Sequence, residues 1–213
     1  MRTLIERGCA VLVLVAALPV LALLALGVAL DSGFPILFRQ RRIGRRGHPF
    51  ELLKLRSMRN GLHGRAITVG GDARVTRLGR ILRRYKLDEL PQLWNVVRGD
   101  MSMVGPRPEL PEYVDLADPL WRVVLEVRPG LTDLATLIYR NEEELLAQAP
   151  DPLEYYRRVV LPEKLRLNVE YLGARGRFTD TKVLALTVLY SLFPSALSPA
   201  RIRELILGAT CLV

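Results

Sequence analysis

From Gly8 to Leu30 the chain carries no charged side chain and is dominated by Leu, Val and Ala. A straight helix of that length would measure about 34 Å, against about 30 Å for the hydrocarbon core of a bilayer. This predicts a membrane-inserted helix, and the run is longer than the ~7 to 15 apolar residues of a secretory signal peptide. Pro19 falls in its middle, where the ring removes a backbone hydrogen bond and clashes with the preceding turn, so a break or kink is expected there. Arg2 and Arg7 precede the run, and Arg39, Arg41, Arg42, Arg45, Arg46, Lys54, Arg56 and Arg59 follow it. Lys and Arg next to a membrane segment prefer the cytoplasmic side. With both flanks basic, residues 1–33 are predicted to form a re-entrant helix-break-helix that enters and leaves one leaflet. A plain single span is the alternative, because a spanning helix can accommodate a proline.

The remainder, residues 34–213, alternates short apolar stretches with turn signals. Phe34 to Gln40 and Phe50 to Met58, joined by the Arg/Gly-rich turn Arg41 to Gly47, read as a small hairpin; a basic arm on the membrane surface is the alternative. Residues 60–73, with Gly61, Gly64, Gly70 and Gly71, form a loop whose glycine spacing fits no nucleotide-binding motif. Thr76 is placed to cap a helix reaching about Tyr85, with Leu78, Ile81, Leu82 and Tyr85 on one face. Further helices are predicted near 112–127 and from Pro152 to about Leu172, the latter with Tyr155, Tyr156, Val159, Leu165 and Tyr171 on its apolar side. Pro129-Gly130 marks a turn. Val183 to Leu192 and Ile202 to Val213 are apolar but split by Pro194 and Pro199. They read as amphipathic helices lying on the membrane or packed on the first helix, with buried core helices as the other reading. The fold class is α+β, mostly helical.

Composition narrows the partners. The 213 residues are 50% hydrophobic, enough for one domain plus an appendage. A net charge of +9 calls for an anionic partner: nucleic acid, an anionic membrane surface or a phosphorylated substrate. Cys9 and Cys211 sit near opposite ends without disulfide or metal spacing, which fits a reducing compartment. His48 and His63 match no zinc pattern and read as surface residues.

The stretch from Lys86 to Pro108 carries the candidate chemistry. Asp88 and Glu89 are adjacent and stand just before Pro91, which suits only the first turn of a helix, so the helix is expected to begin at about Leu87 or Asp88. Taken alone, Asp88 could be a helix cap and Glu89 a solvated first-turn acid. Around them lie Arg74, Arg77, Arg80, Arg83, Arg84, Lys86, Arg98 and Arg107. A carboxylate can share space with a phosphate where cations cancel the repulsion. Arg107, fixed between Pro106 and Pro108, is the best phosphate-binding candidate because its fork matches phosphate geometry; the alternative is a salt bridge to Asp100 or Glu109. Arg83 lies five residues before Asp88. Asp100 is expected to stabilise the turn after Gly99.

Asp88-Glu89, Gly99-Asp100-Met101-Ser102, Gly105-Pro106-Arg107-Pro108, Val127 to Thr132, the Phe38-x-Gln40 element and the proline-broken first helix together resemble the bacterial sugar transferases, the monotopic phosphoglycosyl transferases that act on undecaprenyl phosphate. The resemblance covers nearly the whole chain in order. It implies transfer of a sugar-1-phosphate from a UDP-sugar to polyprenol phosphate at the cytosolic face of the bacterial inner membrane, with Mg²⁺ and a covalent aspartyl intermediate. Asp88 matches the nucleophile and Glu89 its partner acid, serving as metal ligand or proton acceptor. Lys54, Arg128 and Arg140 match basic motif positions, with surface or structural roles as the alternative for these and for Arg83. The partners implied are a UDP-sugar, polyprenol phosphate and membrane lipids; a homodimer is left open, and no nucleic acid is expected. Two departures stand out: Leu18-Pro19 replaces the common Ser-Pro, and Asp133-Leu134-Ala135-Thr136 replaces a Gly-Trp-Ala-Gln pattern near the substrate. The rival reading, a membrane-anchored basic module without chemistry, leaves two acids inside the basic region unexplained.

Overall fold

The computed structural model describes residues 2–59, 67–193 and 197–208. The expectations for Gly61, His63, Gly64, Pro194 and Cys211 lie outside the described residues. Element α1 (Arg2–Ser32) stays helical through Pro19, so the expected break does not interrupt it. The hairpin follows as β1 (Leu37–Ile43) and β2 (Pro49–Leu55), antiparallel with Phe38 opposite Lys54. Next comes α2 (Arg77–Arg84), capped as expected by Thr76, whose side-chain oxygen accepts the Gly79 N–H at 2.8 Å.

The predicted helix at Asp88 begins as a 3₁₀ turn (Leu87–Glu89) and continues as α3 (Gln92–Arg98). The cause is Pro91: lacking an N–H, it cannot bond back to Leu87, and that carbonyl accepts from Leu90 N at 3.3 Å instead. Gly99, at φ +90, reverses the chain into β3 (Ser102–Val104). A parallel partner, β4 (Gly130–Thr132), was not foreseen; Ser102 lies opposite Gly130 and Val104 opposite Thr132. Gly130 is required there, because a Cβ would sit 2.1 Å from Gly105 N.

Between these strands the predicted helix over 112–127 is shorter. A 3₁₀ turn (Pro111–Tyr113) precedes α4 (Pro119–Leu125). Asp118, forced extended before Pro119, caps the helix through Leu120 N at 2.8 Å. Then follow α5 (Leu134–Ile138), α6 (Glu142–Ala147) and α7 (Pro152–Tyr155). A π-helical turn (Tyr156–Val160) joins α7 to α8 (Leu161–Gly173), and α9 (Arg177–Leu192) and α10 (Pro199–Leu207) complete the order. The π turn inserts an extra residue ahead of Pro162 and rotates the face. Tyr156 and Val160 are therefore buried, and Val159, expected on the apolar side, is 45% exposed.

The main core gathers Val104, Leu134, Leu137, Leu167 and Tyr171 with Val183 and Tyr190 of α9 and Ile202 and Ile206 of α10. One face of each C-terminal helix is thus core, while Phe178, Val188, Leu192 and Phe193 of the α9 segment stay exposed. A second cluster packs α4 against the π turn and α8.

Helix α1 contributes a single stripe. Ala10 and Leu14 pack with Leu52, Leu93, Val96 and Met101, and Leu21, Leu24 and Val28 pack with Leu55, Leu78, Leu82 and Leu87. Both ends are fastened to the body. Arg128 Nη1 donates to Thr3 Oγ1 at 3.1 Å, Arg7 Nη2 donates to the Arg98 carbonyl at 3.3 Å, and Arg56 Nη2 donates to the Ser32 carbonyl at 2.7 Å. The opposite face, with Leu4, Leu12, Leu18, Leu23, Leu26 and Leu30, is apolar and exposed.

Candidate active site

The turn from Leu87 to Leu90 sits between the two patches that hold α1, since Leu87 packs into one and Leu90 into the other. Lys86, at φ 57, supplies the left-handed residue that swings the chain from α2 into this turn. Both acids are buried, with Asp88 only 4% exposed. Glu89 is therefore not a solvated surface acid, and neither the 3₁₀ turn nor α3 carries a side-chain cap bond that Asp88 could be making.

Their environments differ. Arg107 grips Glu89 with both arms of its guanidinium, Nη2 to Oε1 at 2.5 Å and Nη1 to Oε2 at 3.1 Å, while Lys54 Nζ adds a bond to Oε1 at 3.1 Å. Burial alone would push the Glu89 pKa up, but Arg107 first and then Lys54 and Lys86 hold it well below the usual carboxylate range. Burial also works to lower the Arg107 pKa, and Glu89 overcomes it and raises it. For Lys54 burial wins and the pKa is lowered, with Glu89 opposing. Asp88 has no such clamp. Burial raises its pKa, Lys54 opposes, and the charge on Glu89 adds to the rise. Its Oδ1 is buried without a hydrogen-bond partner. An unpartnered carboxylate oxygen thus stands beside a neighbour saturated by cations.

Arg107 was expected to pair, if at all, with Asp100 or Glu109; its partner is Glu89. The loop that carries it is fixed from several sides. Arg107 N donates to Asp133 Oδ2 at 2.8 Å, Arg42 Nη1 donates to the Pro108 carbonyl at 3.1 Å, and Gly130 N donates to the Pro106 carbonyl at 2.9 Å. Glu109 lies between Arg42 at 3.5 Å and Lys164 at 3.4 Å. The structure therefore brings together Asp88, Glu89, Lys54 and Arg107. Arg83 contributes to the field at Asp88 while bonding Ser57 Oγ at 2.9 Å and Glu143 at 2.5 Å. Arg128 is spent on the start of α1. Arg140 donates to the Arg84 carbonyl at 2.7 Å and stacks over Tyr190. Asp100 pairs with Arg98 at 3.4 Å beside the Gly99 turn, as expected.

Sequence reasoning missed the supports. Asn95, wholly buried, accepts from Leu53 N at 3.1 Å and donates to the Glu51 carbonyl at 2.7 Å, so it fastens α3 to the strand that carries Lys54. Asp133 both holds Arg107 and caps α5 through Thr136 N at 2.5 Å. The available signal was spacing: Asp88, Gln92 and Asn95 fall one helical turn apart and are all polar.

Among the described residues no cluster of three or more His, Cys, Asp or Glu side chains could cage a metal by itself. With the Glu89 oxygens engaged, Asp88 is the open donor. That set fits Mg²⁺, which typically binds one or two carboxylates and takes its remaining ligands from water and substrate phosphates.

Two buried acids and two cations, Asp88, Glu89, Lys54 and Arg107, thus stand together in a chain whose first helix is long and apolar enough to cross a membrane. The chain belongs to the bacterial sugar transferase family, which it matches over residues 1–194. It is 39% identical to a UDP-glucose:undecaprenyl-phosphate glucose-1-phosphate transferase of Caulobacter vibrioides, over 80% of this chain and 61% of that protein. It is 39% identical to an undecaprenyl-phosphate glucose phosphotransferase of Komagataeibacter xylinus, over 88% of this chain and 35% of that one. A further relative, a UDP-glucose:undecaprenyl-phosphate glucose-1-phosphate transferase of Escherichia coli, is 35% identical over 84% of this chain and 37% of its own. In each case the match spans less than two thirds of the relative's length.

Proposed function

We propose that this protein transfers a sugar-1-phosphate from a UDP-sugar to polyprenol phosphate by way of a covalent phosphosugar on Asp88. The observation that carries this reading is the buried, unpartnered Asp88 Oδ1 next to a Glu89 locked by Arg107 and Lys54. In the first half-reaction an Asp88 oxygen forms a bond to the β-phosphorus, and the bond from that phosphorus to the bridging oxygen breaks. UMP departs with the electron pair. In the second, an oxygen of polyprenol phosphate attacks the same phosphorus, and the electron pair returns to the Asp88 carboxylate. Splitting one displacement into two is what a carboxylate nucleophile offers.

Glu89 keeps Arg107 and Lys54 in place before substrate arrives, and those cations screen the approach of Asp88 to a diphosphate. Mg²⁺ carried by the diphosphate would be held at Asp88 and would neutralise phosphate charge. The apolar outer face of α1, together with the exposed side chains of α9, supports insertion into the cytosolic face of the inner membrane. Because both ends of α1 are tied to the body, a placement on one side of the bilayer is favoured over a span that leaves the body behind, although the unbroken helix does not itself turn back at Pro19.

The test is UMP release from a panel of UDP-sugars with Mg²⁺ and polyprenol phosphate. Asp88→Asn is expected to abolish release; normal turnover by that variant would remove the nucleophile assignment.

A further inference from the structure

Burial raises the Asp88 pKa most, and three cations oppose it: Lys54, then Lys86 and Arg83. Two of the three are committed. Lys54 is bonded to Glu89 at 3.1 Å, and Arg83 to Ser57 Oγ at 2.9 Å and to Glu143. The Lys86 ammonium has no ion-pair or hydrogen-bond partner among the described residues, and its side chain is partly exposed. The backbone fixes its position from both sides: Lys86 N donates to the Arg83 carbonyl and Glu89 N to the Lys86 carbonyl, each at 3.2 Å. Its Cα is at most about 7 Å from that of Asp88, two residues on. At Glu89, where burial again works upward, Lys86 adds to the lowering by Arg107 and Lys54, so its charge is felt by both acids. Its conformation is a second, independent observation. Tyr85 ends α2 and Lys86 follows at φ 57, ψ 22, the left-handed position after a helix where glycine is the usual residue. A side chain is strained there, and a strained residue that carries an unpaired cation beside two buried acids points to a use for that cation.

We propose that Lys86 is a substrate-contacting residue of this site, its ammonium binding a non-bridging oxygen of the diphosphate of the donor. The proposal rests on the reading of the site as one that takes a UDP-sugar at Asp88. Arg107 and Lys54 could hold a phosphate directly only by letting go of the buried Glu89, which would leave a charge unpaired, whereas Lys86 gives up only water. An ammonium on a flexible four-carbon stem carries three rotatable donors, so it can follow a phosphate as the diphosphate enters and UMP departs. The exposure of the side chain selects the donor over the lipid acceptor. Asp88 is buried, and Lys86, next to the exposed Tyr85, is open to the water from which a nucleotide sugar arrives.

The test uses the full chain in detergent with Mg²⁺ and no acceptor, reading single-turnover UMP release against UDP-sugar concentration, with thermal unfolding as the control. Rates are taken on the alkaline plateau, where Asp88 is ionised with or without a charge at Lys86. Lys86→Gly deletes the ammonium and relieves the left-handed backbone. It is expected to unfold at an unchanged or higher temperature, yet to need about ten- to a hundredfold more UDP-sugar for half-saturation. Lys86→Arg, which keeps a cation, should recover most of that loss. A wild-type concentration dependence for Lys86→Gly overturns the proposal, as does an equal loss in Lys86→Arg. If Lys86→Gly does not fold, Lys86→Asn decides, since asparagine also tolerates the left-handed region. A folded Lys86→Asn with weakened half-saturation supports the contact, whereas wild-type half-saturation, or loss of folding in both variants, overturns it. A second arm mixes the phosphosugar-loaded enzyme with polyprenol phosphate; a Lys86→Gly defect confined to that step would assign the cation to the lipid phosphate and overturn the donor contact. Asp88→Asn runs alongside. Its silence together with a normal Lys86→Gly curve would sink this inference alone, while UMP release by Asp88→Asn would sink the reading beneath it.

Discussion

Two neighbouring carboxylates are driven in opposite directions by what surrounds them, a separation that assigns different roles to chemically similar groups. Glu89 stays ionised under Arg107 and Lys54, and Asp88 is pushed up by burial. An attacking Asp88 must be charged, so UMP release should fall as pH drops through an acid limb above the ordinary aspartate value of about 3.9. Lys54 opposes the rise at Asp88. Lys54→Met should therefore move the midpoint of that limb to higher pH, whatever it does to the height; an unmoved or lower midpoint would contradict the assignment. Stability runs the other way. The depressed pKa of Glu89 contributes stability above its unfolded value of about 4.3, lost as pH falls through the folded value. Arg107→Met breaks a buried pair and should cost roughly 3 kcal/mol at neutral pH, the deficit shrinking in acid, as denaturant titrations at several pH values would show. Asp88, Glu89 and Arg107 were legible because acids within a basic, proline-fixed segment are rare, whereas Lys54, on β2, was named only through the family resemblance. The contacts of Arg128 with Thr3 and of Arg140 with the Arg84 carbonyl were not legible, because a basic motif position says nothing of which long-range partner meets it.

At the scale of elements, prolines and glycines decide where the site residues stand. Pro91 sets the 3₁₀ turn that presents the acids, and Gly99 lets the chain reverse against α1. A Cβ on Gly99 would lie 1.7 Å from Arg7 Nη2 and would force a side chain into φ +90. Gly99→Ala should cost about 1 to 3 kcal/mol and speed amide exchange at the start of α1, measured by hydrogen exchange. The hairpin, the Thr76 cap and the helix at Asp88 could be read from alternation, capping and proline position. The β3–β4 pair could not, since three-residue parallel strands depend on Gly105 and Gly130 approaching across a long sequence separation. Nor could the π turn before Pro162, which shifts the buried face by one residue without changing the composition of the segment.

At the scale of the whole molecule, a stripe of α1 is buried on the body and its other face is bare hydrocarbon, while the chain carries +9. Anchorage should combine insertion with attraction to anionic lipid, so residual binding of the protein to anionic vesicles should weaken with salt without vanishing. Cysteines at Cys9 and at Asp31→Cys, in an otherwise cysteine-free chain, should label from the same side of the membrane; labelling from opposite sides would remove the one-sided placement. The claim on which everything else depends is that Asp88 itself carries the sugar phosphate. Intact-protein mass spectrometry after mixing with a UDP-sugar and Mg²⁺, with no polyprenol phosphate present, tests it most directly. A mass gain of one sugar phosphate mapped to Asp88, with one equivalent of UMP, is expected; an unmodified chain that releases UMP only once the lipid acceptor is added would contradict it.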